Sequence, residues 1–134
     1  MPAYTLSFEV RDYELDFQGI VNNSVYLNYL EHTRHKFMYE LGVDIKEMHD
    51  RGLDLVVTRM EMDYKLSLRS RDQFMVTVEI YPEGNLRIVF DQKIFRLPDE
   101  KLVLAAKTTG VCLRNGKPVR PGDVPELHKF GFNL

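Results

Sequence analysis

The chain has 134 residues, 44% of them apolar and 28% charged, a balance that suits one soluble domain with a real core and excludes a disordered tail. Its formal net charge of -2 and isoelectric point near 6.1 leave no basic excess for phosphate backbones, so nucleic acid is not expected as a partner. A single cysteine, Cys112, excludes an internal disulfide and, without a Cys/His cluster, a standard zinc site.

The opening MPAYTLSFEV turns acidic at once, and no apolar run approaches the roughly 20 residues of a membrane span. No signal peptide and no membrane contact are expected, and a reducing cytoplasmic location is the simplest reading. One domain over residues 1–134 is expected, because the chain contains no linker, repeat or low-complexity tract.

In YTLSFEVRD, Leu6, Phe8 and Val10 alternate with Thr5, Ser7, Glu9 and Arg11, the period of a half-buried strand. A loop follows through Asp16 and Gly19. From Ser24 to Leu41 the spacing becomes helical: Tyr26, Tyr29, Leu30, Thr33, Phe37 and Leu41 share a stripe, while Glu31, Arg34 and Glu40 are expected to face away. Gly42 is placed to stop that helix, and a short helical turn is expected over Ile45–Asp50.

The remainder reads as strands. In LVVTRMEMDYKL, Val56, Thr58, Met60, Met62, Tyr64 and Leu66 alternate with Val57, Arg59, Glu61, Asp63 and Lys65. Further strands are expected over Gln73–Tyr81, Leu86–Arg96 and Leu102–Arg114, joined by the hairpin-type segments PEGN and LPDEK. RNGKPVRPGDVP should begin an irregular tail. One strand, one long helix and four consecutive strands define an α+β fold, a five-stranded antiparallel sheet with the helix on one face. A helix covers only part of such a sheet, so self-association is expected to hide the rest.

DFQGIVNNS, residues 16 to 24, holds more turn-making and capping groups than one helix start needs. Two readings compete: Asn22, Asn23 and Ser24 are only caps and Asp16 a loop acid, or the helix end also holds a ligand. The first N–H groups of a helix lack internal partners, and the dipole places roughly +0.5 charge there.

The order of elements, together with YELDFQGIVNNSVYLNYLEHTR, resembles the hot-dog fold thioesterases, and most of all the branch of 4-hydroxybenzoyl-CoA thioesterase, bacterial acyl-CoA thioesterases and plant acyl-carrier-protein thioesterases. The shared motif falls on Asp16, Gly19, Val21-Asn22-Asn23 and Tyr26. Two departures stand out. Many members have an aspartate where this chain has Glu14, and others a histidine where it has Asn23, so a histidine-assisted mechanism does not carry over.

The resemblance implies hydrolysis of an acyl-CoA thioester to free acid and CoA. Asp16 would be the catalytic carboxylate, either attacking the carbonyl or orienting a water. The N–H of Asn23 or Ser24 would form the oxyanion site, where one donor contributes about 3 kcal/mol. Gly19 would let the backbone approach the ligand without a Cβ, Asn22 would fix the loop, and Glu31, matching an acid of several relatives, would orient a side chain or water. Ser24 and Tyr26, with the cations Arg59, Lys65, Arg69 and Arg71, would bind the substrate and its phosphates; each also has a plain reading as cap, core or solvated surface. Met60, Met62, Tyr29, Phe37 and Tyr64 could line an acyl pocket or simply pack.

No metal or redox cofactor is expected, and the partner is expected to be a second copy, as a homodimer and beyond it a homotetramer. An acyl-carrier-protein thioesterase, or a module that binds acyl thioesters without cleaving them, are the alternatives. His32 and His35 lack a third metal ligand. The Glu14–Val25 segment fails as a calcium loop at Val25, Cys112 is expected in the core, and no GxSxG element supports a serine hydrolase.

Overall fold

The computed structural model describes residues 3–130, with side chains through His128; both ends of the expected domain, residues 1–2 and 131–134, lie outside the described residues. Strand β1 (Tyr4–Glu9) leads through a 3-10 turn at Asp12–Glu14 to helix α1 (Asn23–Glu40) and the short helix α2 (Ile45–Asp50). Four long strands follow: β2 (Leu53–Tyr64), β3 (Gln73–Glu83), β4 (Arg87–Leu97) and β5 (Lys101–Arg114). They and β1 form an antiparallel sheet in the order β1-β3-β4-β5-β2. A short strand β6 (Lys117–Val119) pairs with the end of β5, inside a segment expected to be irregular. The Asn115-Gly116 turn returns the chain onto β5, so three further residues find ladder partners.

The sheet curls around α1. Tyr26, Tyr29, Leu30, Thr33, Phe37 and Met38 are buried on the helix, and each large apolar side chain removed from water contributes about 1.5–3 kcal/mol. One core cluster gathers Tyr26, Tyr29 and Leu30 with Phe74, Val76, Ile94 and Leu104; a second holds Phe37, Met38 and Met48 against Val78, Ile88 and Cys112. Tyr29 and Phe37 are therefore core residues and line no acyl pocket. His32 meets Phe8 edge-on, and Cys112 is fully buried.

Arg34 departs from expectation. It does not face away: its Nη1 turns under the sheet and donates to Gln92 Oε1 at 3.0 Å, and Gln92 in turn donates to the Leu30 carbonyl. A long aliphatic stem lets an arginine at the margin of an apolar stripe bury its head where neutral acceptors wait.

β2 is an edge strand, and most of its side chains are exposed. Its alternation breaks between Val57 and Arg59, where a register shift against β5 lets Thr58 bulge and donate to the Thr109 carbonyl. α1 packs mainly over β3 and β1, and two separate pockets open between α1 and the β2 edge.

Candidate active site

The Asp16 loop is a small self-closed hairpin. The Asp16 N–H donates to the Ile20 carbonyl at 2.8 Å, and Leu15 bridges Val21. Asp16 Oδ1 accepts the N–H of Gln18 at 2.8 Å and of Ile20 at 3.4 Å, so half of the carboxylate holds its own turn. Oδ2 has no donor among the described residues, and the residue is only half-buried. Gly19 serves the turn through its φ of +77°. A Cβ there would meet no protein atom within 4 Å, so the positive φ, not protein packing, is what the structure shows glycine serving at this position.

Below the loop lies Glu14, 7% exposed. Its Oε1 accepts the Arg11 N–H and the Tyr29 hydroxyl, each at 2.8 Å, while its carbonyl accepts the Asn22 N–H at 3.0 Å. Burial, then the bond to Glu14, pushes the Tyr29 phenol far above its ordinary value, so it remains a donor. The Glu14–Tyr29 pair thus fixes the hairpin to α1. Sequence reasoning noted Glu14 only as a departure; the fifteen-residue spacing to Tyr29 carried no signal, because loop and helix meet only in the fold.

At the start of α1 the polar surplus divides. Asn22 Oδ1 accepts both the N–H and the Oγ–H of Ser24 at 3.0 Å, so Asn22 is the cap and Ser24 its donor. The Val25 N–H goes to the Asn22 carbonyl. The Ser24 N–H, expected as one of two oxyanion donors, is therefore already committed. The Asn23 N–H meets no acceptor among the described residues and stays available.

Beside Asn23 opens a groove of about 450 Å³ between α1, the end of β2 and the segment after it. Val21, Tyr26, Tyr64 and Leu66 form its apolar wall, and Lys65, Arg69 and Arg96 its cations. The Ile20–Arg69 bridge and the Val21 N–H bond to the Leu68 carbonyl hold the Asp16 hairpin against this segment. Tyr64 donates to the Asn23 carbonyl at 3.4 Å and meets Tyr26 edge-on. Tyr26 is 2% exposed, and its hydroxyl accepts the Leu68 N–H at 3.0 Å; its role is to brace the groove floor. Burial raises its phenol, the Leu68 bond opposes this, and the neighbouring Tyr64, Asp72 and Asp16 add to the rise.

Of the expected cations, Lys65 and Arg69 reach the groove, and neither has an acid within ion-pair distance among the described residues. Arg59 does not: it pairs with Glu61 at 3.2 Å on the outer edge. Arg71 sits at an exposed turn with φ of +63° and does not line the groove. Arg96, missed in the sequence, arrives from β4, held by Asp99 at 2.7 Å; only the β3–β4 register brings it here. Glu31 lies two turns along α1, beside His35 at 3.7 Å, and faces a separate cavity. Among the described residues no group of three or more His, Cys, Asp or Glu could hold a metal ion, and no helix is long and apolar enough to cross a membrane.

Asn23 and the cations Lys65, Arg69 and Arg96 line one groove; Asp16 is not among its lining residues, and its hairpin is tied to the groove wall through the Ile20–Arg69 bridge. The model of the thioesterase-like superfamily matches residues 10–128, and the chain belongs to that family; its fold is the hot-dog fold of these proteins.

Among individual relatives, the acyl-acyl carrier protein thioesterase ATL3 of Arabidopsis thaliana chloroplasts is 41% identical over 118 residues, 87% of this chain and 62% of that protein. The acyl-CoA thioesterase YbgC of Haemophilus influenzae is 28% identical over 131 residues, 95% of this chain and 93% of its own length. The chain spans less than two thirds of the length of the first plant relatives it matches. In three dimensions the 1,4-dihydroxy-2-naphthoyl-CoA thioesterase Slr0204 of Synechocystis superposes with a TM-score of 0.86 over 97% of this chain and 95% of its own, at 16% identity.

Proposed function

We propose that the chain is a thioester hydrolase that cleaves an acyl-CoA to the free acid and CoA. The observation that carries this reading is the Asn23 N–H, left without an acceptor among the described residues at the mouth of the cationic groove, seven residues after an Asp16 carboxylate that commits only Oδ1 to its own turn. With the carbonyl oxygen of a thioester directed at the Asn23 N–H, positive partial charge at the helix end stabilises the oxyanion. Asp16 then adds to the carbonyl carbon itself or takes a proton from a water that does. Collapse of the tetrahedral species expels the thiolate, which takes up the proton that the water loses; on the nucleophilic route the acyl–Asp16 anhydride left behind is hydrolysed by that water to the free acid and the original carboxylate. Lys65, Arg69 and Arg96 hold the phosphates of the leaving nucleotide. The working unit in this reading is a dimer, formed by a second copy at the β2 edge.

A carrier protein as the leaving partner is the second reading, favoured by the relation to the plant acyl-carrier-protein thioesterases. There the same cations would meet the carrier's acidic surface.

The test is release of free thiol from a panel of acyl-CoAs and the same acyl groups on carrier protein. Asp16→Asn keeps the Oδ1 acceptor that holds the turn and removes the ionised oxygen. The expected loss is about 10²–10⁴-fold in kcat with an unchanged melting temperature. No thiol from any substrate refutes the hydrolase, and full activity in Asp16→Asn refutes the role of Asp16 in it.

A further inference from the structure

Arg34 is a cation inside the fold without a counter-ion. Its Nη1 donates to Gln92 Oε1 at 3.0 Å and Thr108 Oγ1 at 3.4 Å, and its guanidinium carbon stands 5.9 Å from the centre of the Phe90 ring. Neither acceptor is charged, and Nε and Nη2 have no acceptor among the described residues. Burial holds the guanidinium below the usual arginine range, with the charge of Glu31 opposing the shift. A half-buried charge satisfied on one side only is costly to retain, and here it borders a void. A cavity of about 140 Å³ lies between Arg34 and the apolar Met38, Ile45, Leu55, Val57 and Phe90.

This cavity and the groove at Asn23 are walled by the same two elements. On α1, Asn23, Leu27, Arg34 and Met38 fall on one stripe; on β2, Tyr64 belongs to the groove and Val57 to the cavity. Leu27 and Met60, both exposed apolar residues, lie between the two ends on helix and strand. Asn23 and Arg34 are eleven residues apart, about 16 Å along the helix axis. That is the reach of an extended aliphatic chain of medium length, and a single aromatic ring on the carbonyl would end far short of Arg34.

We propose that the cleft between α1 and β2 takes the acyl chain, and that Arg34 at its far end determines specificity by reading an uncharged oxygen, hydroxyl or keto, on that chain. This rests on the thioesterase reading and deepens it. The spare guanidinium donors supply what such an oxygen accepts. Glu31, on the rim of the same cavity and paired only with His35 at 3.7 Å, selects against a carboxylate tail by repulsion and can accept from a hydroxyl.

The experiment compares ω-hydroxyacyl-CoAs with their unsubstituted counterparts from octanoyl to palmitoyl, on the unmodified protein and on Arg34→Met, with acyl-carrier proteins used if only those are cleaved. The unmodified protein is expected to favour the hydroxylated member by about tenfold or more in kcat/KM at one or more chain lengths. In Arg34→Met that ratio should fall to near one. Cleavage of the whole series without preference overturns the Arg34 assignment and leaves the hydrolase standing. Equal loss on both series in Arg34→Met, with sedimentation showing a dissociated protein, overturns it in favour of a second copy as the partner of Arg34. No thiol from any substrate removes the hydrolase reading and this one with it. The comparison on the unmodified protein decides even if the variant does not fold.

Discussion

The side chain of Asn22 is committed to the helix it starts, and the chemistry of the hairpin is left to its neighbours. Both of its side-chain hydrogen bonds come from Ser24, so Asn22→Ala should lower stability by about 1 kcal/mol, read from a denaturant midpoint, while Asn22→Asp retains the acceptor and most of the stability. An Asn22→Ala protein with an unchanged midpoint would show that the cap carries no weight. The surplus of capping residues in DFQGIVNNS was legible in the sequence. Its division was not, because which amide stays free depends on where the Asn22 side chain turns. Cys112 is a second residue-scale case. Burial pushes its thiol up to about 11, so it is protonated at neutral pH and shielded. A disulfide reagent should label the native protein negligibly and the unfolded protein at once, which also keeps a thiol-release assay clean. The raised value favours the folded state below the ordinary 9.0, and this contribution is lost as pH rises through about 11. Fast labelling of the native protein at neutral pH would contradict that environment.

At the scale of elements, α1 was legible because its stripe is wide and its neighbours polar, and α2 fell on the expected residues. The placement of Arg34 was not legible, since its acceptors Gln92 and Thr108 lie 58 and 74 residues away in sequence. β2 shows the same limit. Its two-residue alternation is real, but the break at Thr58 comes from β5, where Gly110 lets the bulged backbone approach. A Cβ at Gly110 would stand 2.9 Å from the Val56 carbonyl oxygen, closer than packed atoms tolerate. Gly110→Ala should therefore destabilise the protein by about 1–3 kcal/mol through displaced backbone, measured by denaturant unfolding. Because Val56, Val57 and Gly110 also line the cavity at Arg34, the same variant should shift the preferred acyl length. A variant as stable as the parent would show that the bulge absorbs the methyl group.

For the molecule as a whole, the question is what covers the long free edge of the sheet. β1, six residues long, closes one side, but β2 runs twelve residues at the other with Val56, Val57, Met60 and Tyr64 exposed. An edge this long and apolar invites pairing, and natural chains either blunt such edges with lysine or cover them. Here the outer charges Arg59 and Glu61 neutralise each other, so they present no net repulsion to a second β2 laid antiparallel across a two-fold axis. Such pairing extends the ladder and leaves the cleft beneath β2 facing the helix side. Met60→Lys places two like charges near that axis without touching the Asp16 hairpin. Sedimentation equilibrium at micromolar concentration should show the dimer dissociating at least about tenfold more readily, with a melting temperature that falls on dilution more steeply than that of the parent. If Met60→Lys sediments and melts like the parent at every concentration, the β2 edge is not where two copies meet.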